Sequence, residues 1–96
     1  MKLETLKKRL KGFGQVQNMT SRNGNDIPNQ FIINFDNGRL FKSYNSIIAI
    51  RYKGRTYLTK DWDYSQTTGK YRNQFLGETK KETETKLREG IYTLLQ

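Results

Sequence analysis

Residues 30–60, QFIINFDNGRLFKSYNSIIAIRYKGRTYLTK, decide the fold of this chain. The segment contains short runs of β-branched and aromatic residues, which are typical of strands. Three turn signals separate the runs: Asp36-Asn37-Gly38, Asn45-Ser46 and Lys53-Gly54. Antiparallel strands need only such tight connections. The segment therefore predicts a four-stranded antiparallel meander over residues 29–60, with IIAIRY as its most apolar strand.

Upstream of the meander, residues 1–12 predict a short basic amphipathic helix. Leu3, Leu6 and Leu10 recur at helical spacing. A helix of barely three turns is marginal in water, so it must dock on another surface. That surface is either the domain's own sheet or a partner helix, nucleic acid or membrane. Residues 12–28 then predict a flexible loop or an edge strand.

Downstream, residues 63–90 predict two helices. The first is capped by Asp63 or Ser65 and stopped by Gly77. The second opens with a capping box, Thr79 to Glu82, and ends at Gly90.

Residues 91–95 read IYTLL and predict a last strand, whose exposed edge could pair with a second copy in a homo-oligomer. The whole chain, residues 1–96, is expected to be one domain. Its fold class is α+β: a small twisted antiparallel sheet of four to six strands, with helices packed on one face and a short basic N-terminal helix.

Composition restricts the chemistry of the chain. It has no cysteine, so disulfides and thiolate metal sites are excluded. It has no histidine, which removes the usual acid–base group near neutral pH and leaves a transition metal only oxygen ligands. We therefore expect neither cofactor nor metal. No run approaches the ~18 apolar residues of a membrane span, and the N-terminus lacks a signal-peptide pattern, so we expect a soluble intracellular protein.

Positive charge is concentrated in the first part of the chain. The net charge is +9. Residues 1–25 hold six cations and one acid, and residues 26–60 hold six cations and two acids. Residues 61–96 hold six of each, so the excess lies entirely in the first 60 residues. This asymmetry favours an anionic partner: nucleic acid, an acidic protein or anionic lipid.

The segment TTGKYRNQFLG, at residues 67–77, has a Thr-Gly-Lys that invites comparison with a phosphate-binding loop. Such a loop needs glycine five positions before the glycine of Gly-Lys and a hydroxyl residue after the lysine. Tyr64 and Tyr71 stand at those positions. The segment instead predicts a turn and a helix whose Tyr71, Phe75 and Leu76 face the core.

The sequence also contains no pattern that identifies a set of catalytic groups. Asp61 and Asp63 flank Trp62, but acid–base chemistry requires one carboxylate to be buried or coupled to a charge. We interpret the pair as part of a polar loop that caps the next helix. Serine and threonine have no histidine to activate them. We predict that the protein is not an enzyme.

Basic and aromatic residues alternate along the predicted meander. Cations that hold phosphates beside rings that stack on bases are typical of surfaces that bind single-stranded nucleic acid. Tyrosine and lysine are also common on solvated strands, so an ordinary sheet surface is the alternative. Tyr52 and Tyr57 lie on neighbouring predicted strands, and we expect only one of them to contribute to binding. The candidate residues for binding nucleic acid or a partner are Lys7, Lys8, Arg9, Lys11, Arg39, Lys42, Arg51, Lys53, Arg55, Tyr52 and Tyr57.

Two stretches, SYNSIIAI at 43–50 and WDYSQTTGKYRNQFLGETKKETETKLREGIYTL at 62–94, resemble an uncharacterised family of small bacteriophage-encoded proteins. The likeness extends over residues 27–95, and its most specific part is the WDYS…TTGKYR…FLGE string. The resemblance implies an accessory phage protein that acts in the cytoplasm of the bacterial host. It implies no activity and no site residues.

These features favour a non-catalytic protein that binds DNA or RNA through its basic N-terminal helix and meander, mainly by phosphate contacts. The alternative is a phage-encoded inhibitor of a host protein or a defence ribonucleoprotein, anti-CRISPR-like or of another anti-defence kind. A structural role in the virion is the third hypothesis. A nucleic-acid binder acts on free DNA or RNA, whereas an inhibitor needs its protein target.

Overall fold

A computed structural model describes all 96 residues and contains one six-stranded sheet with three helices. The strands are β1 (Gln15–Thr20), β2 (Asp26–Phe35), β3 (Gly38–Ser43), β4 (Ser46–Tyr52), β5 (Arg55–Leu58) and β6 (Thr93–Leu94). The helices are α1 (Leu3–Arg9), α2 (Gln66–Leu76) and α3 (Lys80–Arg88). This architecture confirms the predicted α+β class.

The strands lie in the sheet in chain order, so each one pairs with its sequence neighbour. From β1 to β5 all pairings are antiparallel, as predicted for the meander. β1 is an edge strand, which decides between the two alternatives predicted for residues 12–28. The final strand β6 is parallel to β5 and only two residues long, so the sheet is mostly rather than wholly antiparallel.

Local sequence signals fix the ends of the elements. Lys53 and Gly54 both have positive φ, 50° and 74°, as a two-residue hairpin turn of this hand requires. Ser65 caps α2 by accepting a hydrogen bond from the Thr68 amide at 3.1 Å. Thr79 and Glu82 form the predicted capping box of α3. Gly77 and Gly90, at φ 73° and 77°, follow the two helices in the left-handed conformation.

Helices cover both faces of the sheet. Residues paired across strands share a face, so Leu40, Ile50 and Tyr57 lie on one side. Leu6 of α1 is fully buried against this side, which we call the α1 face. The opposite side, the α2 face, packs against α2 and α3.

The prediction of helices on one face therefore holds for α2 and α3, and α1 adds a helix to the other face. Docking on the domain's own sheet is the alternative that the structure shows for α1. The reason is that β4 is apolar on both sides: Ile50 points to the α1 face and Ala49 to the α2 face. A strand of this kind needs cover from two directions.

Replacement of Leu6 by alanine tests whether α1 is part of the folded core. We expect Leu6→Ala to lower the free energy of unfolding by about 2–5 kcal/mol, because the substitution leaves a cavity under α1. Leu94→Ala is the matched control, since Leu94 is exposed, and it should cost much less. Urea denaturation of both variants measures the difference. Equal losses would show that α1 does not pack on the sheet in solution.

Candidate nucleic-acid interface

Six of the predicted basic residues converge at one end of the sheet. The turn between β2 and β3 and the turn between β4 and β5 lie side by side there, because Gly38 pairs with Tyr52. Strands β3, β4 and β5 bring three arginines to this end, and the β4–β5 turn brings a lysine. The end of α1 and the segment after it bring two further cations. We name this region the basic turn end and define it as Arg9, Lys11, Arg39, Arg51, Lys53 and Arg55.

The end of α1 is tied to the same place by hydrogen bonds to the β2–β3 turn. The Asn37 side chain donates to the Arg9 carbonyl at 2.7 Å and accepts from the Lys11 amide at 2.8 Å. The Asp36 amide donates to the Lys11 carbonyl at 2.9 Å. Arg9 and Lys11 are thus held beside the meander turns although they lie far from them in sequence.

The centre of the basic turn end is a pair of arginines on neighbouring strands. Arg39 and Arg51 are direct cross-strand partners on the α2 face. Their guanidinium carbons lie 5.3 and 5.9 Å from the centroid of the Phe75 ring. Arg51 also donates to the Leu76 carbonyl at 3.1 Å, where it caps the C-terminus of α2. No member of the basic turn end forms a salt bridge.

Three predicted cations lie outside this region. Lys7 and Lys8 are exposed on α1, and Lys7 pairs with Glu4 at 3.6 Å. Lys42 is half-buried near the β3–β4 turn, at the opposite end of the sheet, where it pairs with Ile47. The predicted basic surface is therefore not one continuous patch.

The prediction that Tyr52 or Tyr57 stacks on a base is wrong for both residues. They are only 8% and 7% exposed and belong to the core beneath α1. Tyr52 pairs with Arg55, and Tyr57 is two residues further along β5, so the two rings share the α1 face. Because α1 covers that face, it buries both rings, and neither can meet a base without leaving the core.

Two phenylalanines lie at this end of the sheet. Phe75 is half-buried and stacks on Phe41 at 5.9 Å between ring centroids. Its ring also makes cation–π contacts with Arg39 and Arg51. Phe13, in the loop after α1, is almost fully exposed. The prediction that Phe75 faces the core holds in part, because the ring is half-buried, and Phe13 is not among the predicted site residues. The signal for Phe13 was its position between Gly12 and Gly14, directly after a basic helix.

Of the two carboxylates that flank Trp62, Asp63 forms ion pairs within the domain. Asp63 lies 3.6 Å from the Arg72 guanidinium and 2.8 Å from the Lys80 ammonium. Arg72 is buried and donates to the Trp62 carbonyl at 2.7 Å. The TTGKYR segment forms the first turns of α2 and directs its arginine into the domain, and its cap is Ser65 rather than Asp63.

Another carboxylate, Glu78, has an almost fully buried side chain and joins α3 to the C-terminal segment. It accepts hydrogen bonds from Thr83 Oγ1, Lys86 Nζ and Tyr92 Oη at 2.5, 2.6 and 2.7 Å. Burial alone would raise the pKa of Glu78, but these hydrogen bonds outweigh it and hold the pKa below its ordinary value.

The pKa values of its two ionisable partners move the other way. The hydrogen bond to Glu78 raises the pKa of Lys86, and burial together with Glu78 raises that of Tyr92. None of these three pKa values is shifted toward neutral pH, where a general acid or base works best. The cluster is a structural connection.

Concave surface also occurs away from the basic turn end. The largest cavity, about 780 Å³, lies between the β1–β2 hairpin and α2 and is lined partly by Arg22, Lys70 and Tyr71. No group of three or more acidic residues is placed to hold a metal ion. None of the three helices has the length and hydropathy needed to cross a bilayer.

The fold and its charged surface define a small, basic α+β domain. Residues 14–90 match the family of unknown function DUF8033, and the chain belongs to that family. Membership of a family of unknown function agrees with the resemblance to an uncharacterised family. No match was found among curated proteins or among solved structures.

The Glu78 cluster generates a prediction about acid stability. A carboxyl group whose pKa is lowered on folding stabilises the protein above its unfolded pKa, and this stability is lost as the pH falls through the folded pKa. We expect the wild type to lose stability as the pH falls below 4.5, the ordinary value for Glu78. Glu78→Gln should be less stable at pH 7 and should lose less stability on acidification.

The matched control is Glu84→Gln, because Glu84 is exposed on α3, the helix that follows Glu78. Urea unfolding at a series of pH values between neutral and acid measures both variants. If Glu78→Gln keeps the pH dependence of Glu84→Gln, the cluster does not link protonation to folding.

Proposed function

We propose that the protein binds nucleic acid, without catalysis, through the basic turn end, and that it is a phage-encoded accessory protein acting in the cytoplasm of the bacterial host. The observation that carries the proposal is the cross-strand pair of Arg39 and Arg51, which has no carboxylate partner. The phage origin rests on the sequence resemblance alone.

Two like charges directly opposite each other on adjacent strands destabilise a sheet. Phe75 holds the two guanidinium groups in place by cation–π contact, but a ring does not neutralise them. A phosphate group near the pair would remove the repulsion, and guanidinium groups bind phosphate with paired hydrogen bonds. We therefore expect the Arg39–Arg51 pair to be more favourable with an anionic ligand bound than in the isolated protein.

Other cations lie at the same end of the sheet, and Arg55 is on the α1 face because it pairs with Tyr52. Lys53 and Arg55 are exposed on the β4–β5 hairpin, and Arg9 and Lys11 approach from α1. The single acid of the two turns is Asp36. A backbone-binding surface of this kind recognises phosphates rather than base edges, so binding should be weakly selective for sequence.

A second candidate is the inhibitor of a host protein or defence ribonucleoprotein. Ile91 and Leu94 favour it, because both are exposed apolar side chains beside the unpaired edge of β6. Such a surface can take a protein partner or a second copy of the chain. The inhibitor needs its protein target, whereas the proposed binder shifts free nucleic acid by itself.

Removal of charge tests the proposed surface. The variant combines Arg39→Gln, Lys53→Gln and Arg55→Gln, and it spares Arg51 because that residue caps α2. We expect weaker binding to oligonucleotides and a slope of log K against log salt that is flatter by about 0.7–0.9 per lost phosphate contact. Fluorescence anisotropy over a series of salt concentrations measures both quantities.

The control combines Lys60→Gln, Lys81→Gln and Arg88→Gln, which removes the same charge from exposed positions outside the basic turn end. It should change the slope much less. Equal slopes in the two triple variants would show that only net charge matters. If the wild type binds no DNA or RNA at low salt, the nucleic-acid proposal is wrong and the inhibitor takes its place.

A further inference from the structure

Phe13 is the most exposed large apolar side chain of the protein, at 96%. Large apolar rings are normally withdrawn from water, because burial of apolar surface is favourable. This ring lies in the short loop between α1 and β1, with Gly12 before it and Gly14 after it. With a glycine on each side, no neighbouring side chain shields it.

The loop that carries Phe13 is held on both sides. Before it, Lys11 is bonded to the β2–β3 turn through both its amide and its carbonyl. After it, β1 begins at Gln15, which pairs with Asn34 of β2. The ring is therefore presented by a short, anchored segment.

The two glycines explain why this segment lies so close to the sheet. A Cβ atom at Gly14 would be 2.8 Å from Ile33 Cγ2 and 2.9 Å from Phe35 Cζ. Gly12 has φ +88° and its backbone lies against the Asp36 carboxylate. Larger residues at either position would push the loop away from the sheet. The close approach places Phe13 next to the β2–β3 turn, at the same end of the sheet as the basic turn end.

We propose that Phe13 stacks on an unpaired base of a single strand whose phosphates lie on the basic turn end. This inference rests on the proposed function and names its ligand class: single-stranded rather than duplex nucleic acid. A positive surface beside a free aromatic ring is the arrangement that single-strand binders use, because every base offers a π face. In a duplex the base faces are occupied by their neighbours, so the ring would have no partner there.

The test compares Phe13→Ala with the wild type on a single-stranded oligonucleotide and on a duplex of the same length. We expect Phe13→Ala to weaken single-strand binding roughly 5- to 150-fold, the range that corresponds to the loss of one stacked base. Duplex affinity and the salt slope should stay unchanged, because no phosphate contact is lost. Phe13→Tyr should restore binding, since tyrosine also stacks.

Two controls separate stacking from a general effect. Tyr64→Ala removes another exposed aromatic ring and should leave binding unchanged. An oligonucleotide with abasic sites should bind the wild type and Phe13→Ala equally well. If Phe13→Ala binds single strands like the wild type while the triple glutamine variant does not, stacking is wrong and the proposed function stands.

Two further results would refute the stacking inference. If the wild type binds no nucleic acid at all, the proposed function and this inference both fail. If Phe13→Ala instead loses binding to vesicles of anionic lipid and keeps its affinity for single strands, Phe13 is a membrane contact and the stacking inference is refuted.

Discussion

The structure depends on the burial of β4 from both sides. Its Ile50 packs with Leu6 of α1, and its Ala49 packs with Leu76 of α2. A sheet of six strands with polar edges has a small core, and a chain of this size buries a limited share of its surface. Both helical layers are therefore needed to exclude water from the central strand. The α1 segment is part of the core and not a separate arm.

This double cover determines where function can lie. With both faces occupied at the centre, the tyrosines of β4 and β5 are used for packing, and the cations remain at the turns. The hydrogen bonds of Asn37 bring the end of α1 to the same turns. Six of the twelve cations in the first 60 residues are thereby brought to one end of the sheet, because three separate segments end there.

Local signals were read correctly from the sequence because their causes are local. The Lys53-Gly54 turn and the Thr79–Glu82 box each depend on a few adjacent residues, and Ser65 is one of the two caps predicted for α2. The faces of Tyr52 and Tyr57 depend on where α1 docks, and no local pattern contains that information.

Contacts between distant segments also explain the other differences between prediction and structure. A register shift between β3 and β4 places Ile48 and Ala49 on the same side of the sheet, which simple alternation does not predict. The burial of Arg72 and the exposure of Phe13 also arise from contacts between distant segments.

The proposed contact between nucleic acid and the basic turn end can be tested directly. Titration of ¹⁵N-labelled protein with a short single-stranded oligonucleotide, followed by amide chemical shifts, tests it residue by residue. The account predicts the largest shifts in residues 9–13, 36–39 and 51–55, with α3 and β6 nearly unchanged. Shifts centred on α3 and β6, or no shifts at saturating oligonucleotide, would contradict it.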